Sequence, residues 1–337
     1  MKKRRNYQAV ILTIVILLIA VCVIGLCIGR YSVNPLDAFR AIGDRLLGRP
    51  PVNETMDVVL FAIRLPRIVS AMLIGAALSL SGAVYQSVFK NPLVSPDILG
   101  VSNGACVGAA LAILLGTTVL MQQVMAFVIG IVAVLLAVMI PKLLRNHSNL
   151  MLVLSGIIVS AFMASILGVL KFVADEDSEL SSIVYWQMGS LASIHMREIA
   201  SICPLLFVSG LVLILLSWRL NIMSFGEAEA KTLGVNLKLL RGICIAGSSM
   251  LTAASVCLSG TISWLGLIIP HLGRLLVGSD NTRMIPAAML LGGLFLLVMD
   301  TLARVLTSLE IPISILTGLV GAPFYAWLLW KQKAKVM

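Results

Sequence analysis

Charged residues are scarce in this chain of 337 residues, where they make up 12% of the sequence. Soluble domains carry about 25% charged residues. Apolar residues account for 59% of the chain, and the mean hydropathy is +1.04. So little charge excludes a water-soluble core that hides the apolar residues, and the composition therefore indicates a polytopic membrane protein in contact with the lipid bilayer.

Catalytic and metal-binding signatures are missing too. The chain contains no Walker A, HExxH or GxSxG pattern, and its three histidines are scattered. The six cysteines lie in or beside apolar runs without a CxxC pair, which is typical of small buried apolar residues. The net charge of +10 comes from basic residues between apolar runs, a distribution that disfavours nucleic-acid binding. The sequence thus predicts a protein that is not an enzyme and has no cofactor or metal of its own.

Carboxylates are also lacking where an ion-coupled carrier would need them. The nearest case is Asp300, which we place toward the outer end of an apolar run, whereas Asp97 falls in a predicted cytoplasmic loop. Carriers driven by protons or sodium commonly use ionisable groups inside the membrane. A secondary carrier or channel is therefore the weaker alternative, and energy for uphill transport is expected from another subunit.

Apolar runs dominate what is present. A bilayer core requires about 20 apolar residues per helix. Ten runs qualify, the eighth being the one most interrupted by glycine and proline. The predicted spans are residues 7–28, 58–88, 98–115, 121–140, 150–173, 199–218, 239–258, 261–277, 284–306 and 313–330.

The distribution of Lys and Arg orients these spans. A cytoplasmic N-terminus places most of the 25 basic residues on the cytoplasmic side, together with the C-terminus. The longer outer loops are then residues 30–57 and 174–197, and residues 220–238 form a long cytoplasmic loop. Both termini are therefore predicted to be cytoplasmic.

Three local patterns refine this picture. In the first outer loop, apolar residues at helical spacing predict a short amphipathic helix on the membrane. Gly100, Gly104 and Gly108 form a ridge of small residues that lets helices approach closely in lipid. Ser95 and Pro96 are interpreted as the cap and first residue of the third span. The apolar residues of the predicted amphipathic helix are Leu36, Phe39, Ile42, Leu46 and Leu47.

An ordered set of segments resembles the permeases of iron–siderophore and vitamin B12 ABC importers, the FecCD family. The resemblance is collinear over roughly residues 55–330. It rests on Arg64-Leu65-Pro66-Arg67, Gly75-Ala76-Ala77-Leu78, Lys90-Asn91-Pro92-Leu93, Leu99-Gly100-Val101-Ser102-Asn103-Gly104-Ala105, Trp186-Gln187-Met188-Gly189-Ser190-Leu191, Ala230-Lys231-Thr232-Leu233-Gly234-Val235, Gly266-Leu267-Ile268-Ile269-Pro270-His271 and Glu310-Ile311-Pro312.

The resemblance implies an all-α permease with the type II ABC importer fold, forming one transmembrane domain over residues 1–337. It also implies a homodimer, two cytoplasmic ATPase subunits that bind ATP and magnesium, and an extracytoplasmic solute-binding protein. The location would be the bacterial cytoplasmic membrane. An iron–siderophore is the first choice of solute, with cobalamin, haem and molybdate or tungstate as alternatives.

The resemblance also suggests three groups of site residues. Arg64, Arg67 and Arg304 are expected to dock the binding protein, with contact to lipid phosphates as the alternative. A second group is expected to couple the permease to the ATPase, and an ordinary solvated loop is the alternative there. Its members are Glu227, Ala228, Glu229, Ala230 and Gly234. Ser148 and Asn149 would line a cytoplasmic gate, for which a simple polar turn is the alternative.

Overall fold

The computed structural model describes residues 6–146, 148–225, 230, 232–307 and 309–333. Over these residues the chain is helical and contains no strand. The α-helices are α1 (Tyr7–Cys27), α2 (Pro35–Leu46), α3 (Glu54–Val88), α4 (Val101–Leu114), α5 (Val119–Leu143), α6 (Asn149–Val173), α7 (Ser181–Met188), α8 (Met196–Leu215), α9 (Ser217–Phe225), α10 (Leu237–Ser259), α11 (Leu265–Val277), α12 (Asn281–Val305) and α13 (Ile313–Lys333).

The predicted spans all correspond to apolar helices, but these helices differ in length. Within the described residues, seven are long and apolar enough to cross a membrane: α1, α3, α5, α6, α8, α10 and α12. The third, eighth and tenth predicted spans correspond to shorter apolar segments, at Val101–Leu114, Leu265–Val277 and Ile313–Trp327. The all-helical membrane fold is therefore confirmed, whereas the count of ten crossings stays a prediction.

Helix α3 lies in the middle of the bundle. Between Leu65 and Val88, 18 of its 24 residues are buried, on all sides of the helix. Glycine, alanine and serine are frequent there, so α8, α10, α11 and α12 can pack closely around it. By contrast, only 17% of the apolar stretch of α1 is buried, which places α1 at the periphery of the subunit.

Hydroxyl groups join α3 to α10 inside the bundle. Ser81 donates to the carbonyl oxygen of Ser248 at 3.0 Å and lies 2.8 Å from the hydroxyl of Thr252. One turn further along α3, the Tyr85 hydroxyl lies 2.6 Å from that of Ser249. A buried polar group without a partner is costly in an apolar environment, so these contacts fix how the two helices are aligned.

The small-residue ridge of α4 packs against α5, as the sequence predicts. A side chain at Gly108 would overlap the Met125 carbonyl oxygen, and one at Gly104 would overlap the side chain of Ala133. Any larger residue at either position would push the two helices apart.

The start of the third predicted span requires correction. Pro96 begins a short 3-10 turn, Pro96–Leu99, and the Ser95 side chain caps no backbone N–H group. The α-helix begins only after Gly100. The 3-10 turn does not continue into the α-helix, because Gly100 between them adopts a left-handed conformation with φ of 80°.

This turn also moves Asp97 away from its predicted place in a cytoplasmic loop. The backbone of Ile98 touches Gly156, well inside the 25-residue helix α6, so the turn lies within the bundle. Ser102 donates a hydrogen bond to the Asp97 carboxylate. Asp97 is half-buried there, close to the first turns of α6, and the expectation that no carboxylate lies near the middle of a span stays a prediction.

Both outer loops contain helices. The predicted amphipathic helix is present as α2, which leaves Leu36 and Phe39 exposed on its apolar face. In the second loop a π-helical turn, Glu176–Leu180, precedes α7. The segment after α7 contacts the end of α10, where the Ser190 backbone N–H donates to the Ser259 carbonyl oxygen at 2.8 Å.

Candidate functional site

The three arginines predicted to dock a binding protein lie together at one end of the bundle. Within α3, the stretch Val58–Arg64 is π-helical and ends at Arg64. Arg67 lies in the first α-helical turn that follows this stretch. Arg304 lies one residue before the end of α12. All three side chains are at most 7% exposed. We call these residues, with Asp300 and Glu310, the arginine cluster.

The end of α1 provides part of the cluster's hydrogen bonding. Arg64 donates to the carbonyl oxygens of Leu26, Cys27 and Tyr31. Arg304 donates to the carbonyl oxygen of Gly25 at 3.2 Å. The last carbonyl groups of a helix have no partner within the helix and carry a partial negative charge. The two guanidinium groups satisfy these carbonyls and thereby attach α1 to α3 and α12.

Two carboxylates complete the cluster. Asp300 is fully buried and accepts from Arg67 at 2.8 and 3.2 Å. The other carboxylate oxygen of Asp300 lies 3.4 Å from Nε of Arg304. Glu310 accepts from Arg67 through both of its oxygens, each at 2.9 Å. Arg67 is thus held by one carboxylate from α12 and another from the segment that precedes α13.

The charge balance of the cluster is positive. Three guanidinium groups face two carboxylates, which leaves an excess of one positive charge. The Glu310 side chain is 29% exposed, so the cluster opens to the outside there. Arg64, Arg67 and Arg304 are at most 7% exposed and contact oxygens of the chain itself, so docking and contact with lipid phosphates both stay predictions for these residues.

At the opposite end, the predicted coupling segment is only partly described. Glu227, Ala228 and Glu229 lie outside the described residues, whereas Ala230 is buried. Helix α9 precedes the segment and is tethered to the start of α12. Asn221 donates to Asp280 at 2.7 Å, and the backbone N–H of Asn281 donates to Asn221 at 2.8 Å.

Gly234 turns the chain from the coupling segment into α10. It adopts a left-handed conformation, with φ of 73°, which glycine permits at little steric cost. The backbone N–H of Val235 donates to the Ala230 carbonyl oxygen at 3.1 Å, which closes the turn. Asn236 then caps α10 by accepting from the Leu239 backbone N–H. A side chain at Gly234 would meet no atom of the described chain within 4 Å, so the position is conformationally demanding but open.

The predicted gate residues begin helix α6. Ser148 is exposed and caps the helix by accepting from the Met151 backbone N–H at 3.2 Å. The Asn149 side-chain amide donates to the Val88 carbonyl oxygen at 3.3 Å and so joins α6 to the end of α3. Its buried side-chain oxygen has no hydrogen-bond partner among the described residues. Both residues therefore have a local structural role, and a gating role stays a prediction.

The sequence did not identify the carboxylates as partners of the arginines. Asp300 and Arg304 are four residues apart, a spacing that places two side chains on one face of a helix. That signal could have indicated the Asp300–Arg304 contact. Nothing in the sequence indicates that Arg67 meets Glu310, because 243 residues separate them. Within the described chain, no group of three His, Cys, Asp or Glu residues could hold a metal ion.

Among known proteins, a model of the FecCD transport family matches residues 16–331 of this chain. The molybdate import system permease protein MolB of Haemophilus influenzae is 39% identical over 331 residues, which are 97% of each chain. A protein of Helicobacter pylori named probable iron chelatin transport system permease protein is 38% identical, over 83% of this chain and 85% of its own.

A solved structure shows the same architecture. It is an ABC transporter in an inward-facing conformation, 38% identical to this chain, and the two superpose with a TM-score of 0.86. The match covers 96% of this chain and 99% of the other. The similarity therefore extends over the arginine cluster, the coupling segment and the start of α6.

Proposed function

Because the chain belongs to the FecCD transport family, whose members are ABC importer permeases rather than enzymes, we propose that it carries a metal chelate of the iron–siderophore type across the bacterial cytoplasmic membrane. The observation that carries this proposal is the family match, which covers residues 16–331 and thus nearly the entire helical bundle. ATP hydrolysis belongs to partner subunits.

A second candidate solute is molybdate or a related oxyanion. It is favoured by the relative from Haemophilus influenzae, which is aligned over 97% of both chains. Cobalamin and haem, the other solutes implied by the family resemblance, are further alternatives. A siderophore complex is a large chelate with much apolar surface, whereas molybdate is a small divalent anion. The two solutes would require different pathways, so transport assays can separate them.

The proposed assembly contains two copies of this permease, two cytoplasmic ATPase subunits and one outer solute-binding protein. ATP and magnesium would bind to the ATPase subunits, and this chain would hold no cofactor. The chain would cross the membrane ten times, with both termini in the cytoplasm. The three shorter apolar helices, α4, α11 and α13, would then complete their crossings together with the adjoining non-helical segments.

The arginine cluster is the proposed docking site for the binding protein. Its excess positive charge and its exposed Glu310 support this role. A carboxylate on the binding protein could replace Glu310 as the partner of Arg67, while Asp300 keeps the guanidinium in place. Arg64 and Arg304 would contribute mainly to the positive potential, because Arg64 donates to carbonyl oxygens at and beyond the end of α1 and Arg304 donates to Gly25 and faces Asp300. Such a potential accelerates encounter more than it adds affinity.

The cytoplasmic end is the proposed contact with the ATPase. The left-handed turn at Gly234 and the tether between Asn221 and Asp280 would hold the described ends of the coupling segment, on either side of Ala230, in a defined position. Ser148 and Asn149 would line the gate of the pathway near the dimer axis.

Reconstitution tests the proposal. The permease would be placed in liposomes together with the ATPase and the binding protein encoded beside its gene. Uptake of labelled ferric siderophore, molybdate and cobalamin would then be measured with ATP and with a non-hydrolysable analogue. We expect ATP-dependent uptake of the ferric siderophore only. Uptake of molybdate alone would establish the second candidate, and uptake driven by an ion gradient without the ATPase would contradict the importer assignment.

A further inference from the structure

A cavity of about 420 Å³, lined by both polar and apolar side chains, lies at the same end of the bundle as the second loop predicted to be outside. It is enclosed by the start of α5, helix α7, the start of α8 and the end of α10. Gln122 and Gln123 line one side of it, Tyr185 and Trp186 another, and Glu198 a third. The arginine cluster contributes none of the residues that line this cavity.

The cavity contains side chains that can form hydrogen bonds. Gln123 is only 8% exposed and lines both this cavity and the apolar space beside it. Its side-chain amide can donate and accept, so a ligand or water in the cavity can pair with Gln123. Tyr185 and Trp186 add a hydroxyl and an indole N–H beside it, in the pairing of aromatic body and polar tip that is typical of a membrane interface.

An apolar groove of about 270 Å³ continues from this cavity toward the middle of the bundle. The two spaces share Gln123 and Cys257. From there the groove follows α5 from Leu120 through Val124 to Phe127, opposite residues of α8. A cavity with polar side chains that is joined to an apolar groove can hold an amphiphile. The polar part of the ligand would lie in the cavity and its apolar part in the groove.

The groove opens on a surface suited to lipid. Val124 is 48% exposed at its edge, and the adjoining faces of α5 and α8 expose Val128 and Phe207. Exposed apolar side chains in a row along a membrane helix face acyl chains. An occupant can therefore enter from the bilayer, with its polar part at the outer interface.

The charges of the cavity define the polar part. The described lining residues include no Lys or Arg, and their titratable side chains are Tyr185, Glu198, His195 and Cys257. One oxygen of Glu198 accepts from the His195 backbone N–H at 3.2 Å, and the other lies 3.9 Å from Nδ1 of the His195 ring. The carboxylate of Glu198 matches an ammonium group and repels an anionic headgroup, whereas His195 is the one group of the described lining that could offset it.

From this geometry we propose that the cavity and groove bind one aminophospholipid, such as phosphatidylethanolamine. The ammonium group contacts Glu198, the phosphate accepts from Gln123 and the aromatic side chains, and one acyl chain lies in the groove beside Val124. The occupied cavity also braces the segment after α7, whose Gly189 carbonyl oxygen accepts from the Ile313 backbone N–H at the start of α13. This site is independent of the solute that the permease carries.

Photolabelling tests the site. The full-length permease would be placed in vesicles of phosphatidylethanolamine and phosphatidylglycerol, with a trace of phosphatidylethanolamine bearing a diazirine on one acyl chain. We expect labelled peptides from α5 and α8 around the groove. Val124→Trp fills the groove and should abolish this label. Val128→Trp adds the same bulk one turn further along α5, outside the groove, and should leave the label unchanged.

The headgroup is tested by Glu198→Gln. Glutamine retains the capping function at the start of α8 but removes the charge. We expect the preference for phosphatidylethanolamine over phosphatidylglycerol to fall about threefold, the effect of losing a partly exposed ion pair. Native mass spectrometry of the same variants, counting added lipid on folded protein, gives a readout that a loss of labelling through misfolding would not imitate.

Three results would overturn the proposal. Equal labelling of Val124→Trp and Val128→Trp would show that the groove is not the binding site. Equal labelling by a phosphatidylglycerol probe would exclude the aminophospholipid. A disulfide between two copies carrying Val124→Cys would show that a second permease covers the groove.

Discussion

The two ends of the bundle accommodate basic residues differently. At the end predicted to face outward, Arg64, Arg67 and Arg304 are buried and hydrogen-bonded to carbonyl and carboxylate oxygens of the same chain. At the end predicted to be cytoplasmic, Lys90 and Arg145 lie at helix ends and are exposed, and the part-buried Arg274 donates to Gln86 at 2.6 Å. Water solvates a charge at the surface, whereas a charge buried beside apolar residues requires an internal partner.

This difference indicates what each end contributes. The arginine cluster holds α1, α3 and α12 together, so a change there should affect folding as well as any docking. The cytoplasmic turns hold few buried charges, so changes there should affect function while the bundle still assembles. Substitutions at the two ends can therefore test whether stability and function are separated in this way.

The largest effect is expected from Asp300→Asn. It removes the carboxylate shared by Arg67 and Arg304 and leaves their charges poorly compensated in a buried site. Removing one partner of a buried ion pair costs about 3–5 kcal/mol. We expect a strongly reduced melting temperature in detergent and a low yield of folded protein.

The matched control is Asp280→Asn at the cytoplasmic end. Burial opposes ionisation of Asp280, but hydrogen bonds from Thr282 and Asn221 outweigh it and lower its pKa. Asparagine is as good a helix cap as aspartate, so this variant should lose little stability. If Asp300→Asn and Asp280→Asn have the same melting temperature, the arginine cluster does not contribute more to stability than the Asp280 cap does.

The second effect is expected from Gly234→Arg. This variant should insert and fold, yet lose transport and no longer stimulate the ATPase, because arginine is disfavoured at φ of 73° and adds bulk at the proposed contact. Gly234→Asn tolerates the left-handed conformation and should retain most of the activity. Normal transport by Gly234→Arg would refute the coupling assignment.

The third effect concerns the rate at which the binding protein is captured. Glu310→Gln removes the exposed carboxylate from Arg67 but leaves the contact with Asp300. We expect capture several-fold faster at low salt, measured by surface plasmon resonance, and a steeper decline with added salt. Arg304→Glu should slow capture, although it should also weaken the attachment of α1.

The fourth and smallest effect concerns the gate. Cysteine in place of Ser148 should form a disulfide between two permeases in one nucleotide state of the complex, and Asn149→Cys should do the same. Ser148→Cys also removes the cap of α6, which costs about 1 kcal/mol. A position remote from the proposed gate, Ser165, provides the control. If neither gate variant cross-links in any nucleotide state, these residues form only a polar turn.

Much of the membrane fold could be predicted from the sequence, because the length of an apolar run and the spacing of its apolar residues are properties of that segment alone. The helices corresponding to the ten apolar runs are all present, α2 lies where apolar residues recur at helical spacing, and Gly104 and Gly108 meet α5 closely. Errors occur where the chain leaves regular helix. The turn at Pro96–Leu99 placed Asp97 inside the bundle, because a proline and a left-handed glycine permit a path that periodicity does not reveal.

Composition and apolar runs are enough to predict that this chain is a helical membrane protein. Its ordered motifs are enough to reveal the resemblance to the FecCD family. Apart from the contact between Asp300 and Arg304, which are four residues apart, the partners of the arginines depend on the tertiary structure. Arg67 and Glu310 are 243 residues apart, and Arg304 reaches a carbonyl 279 residues earlier. The physical reason is that apolar length is a property of each segment, whereas the partner of a buried charge depends on which segments the finished bundle brings together.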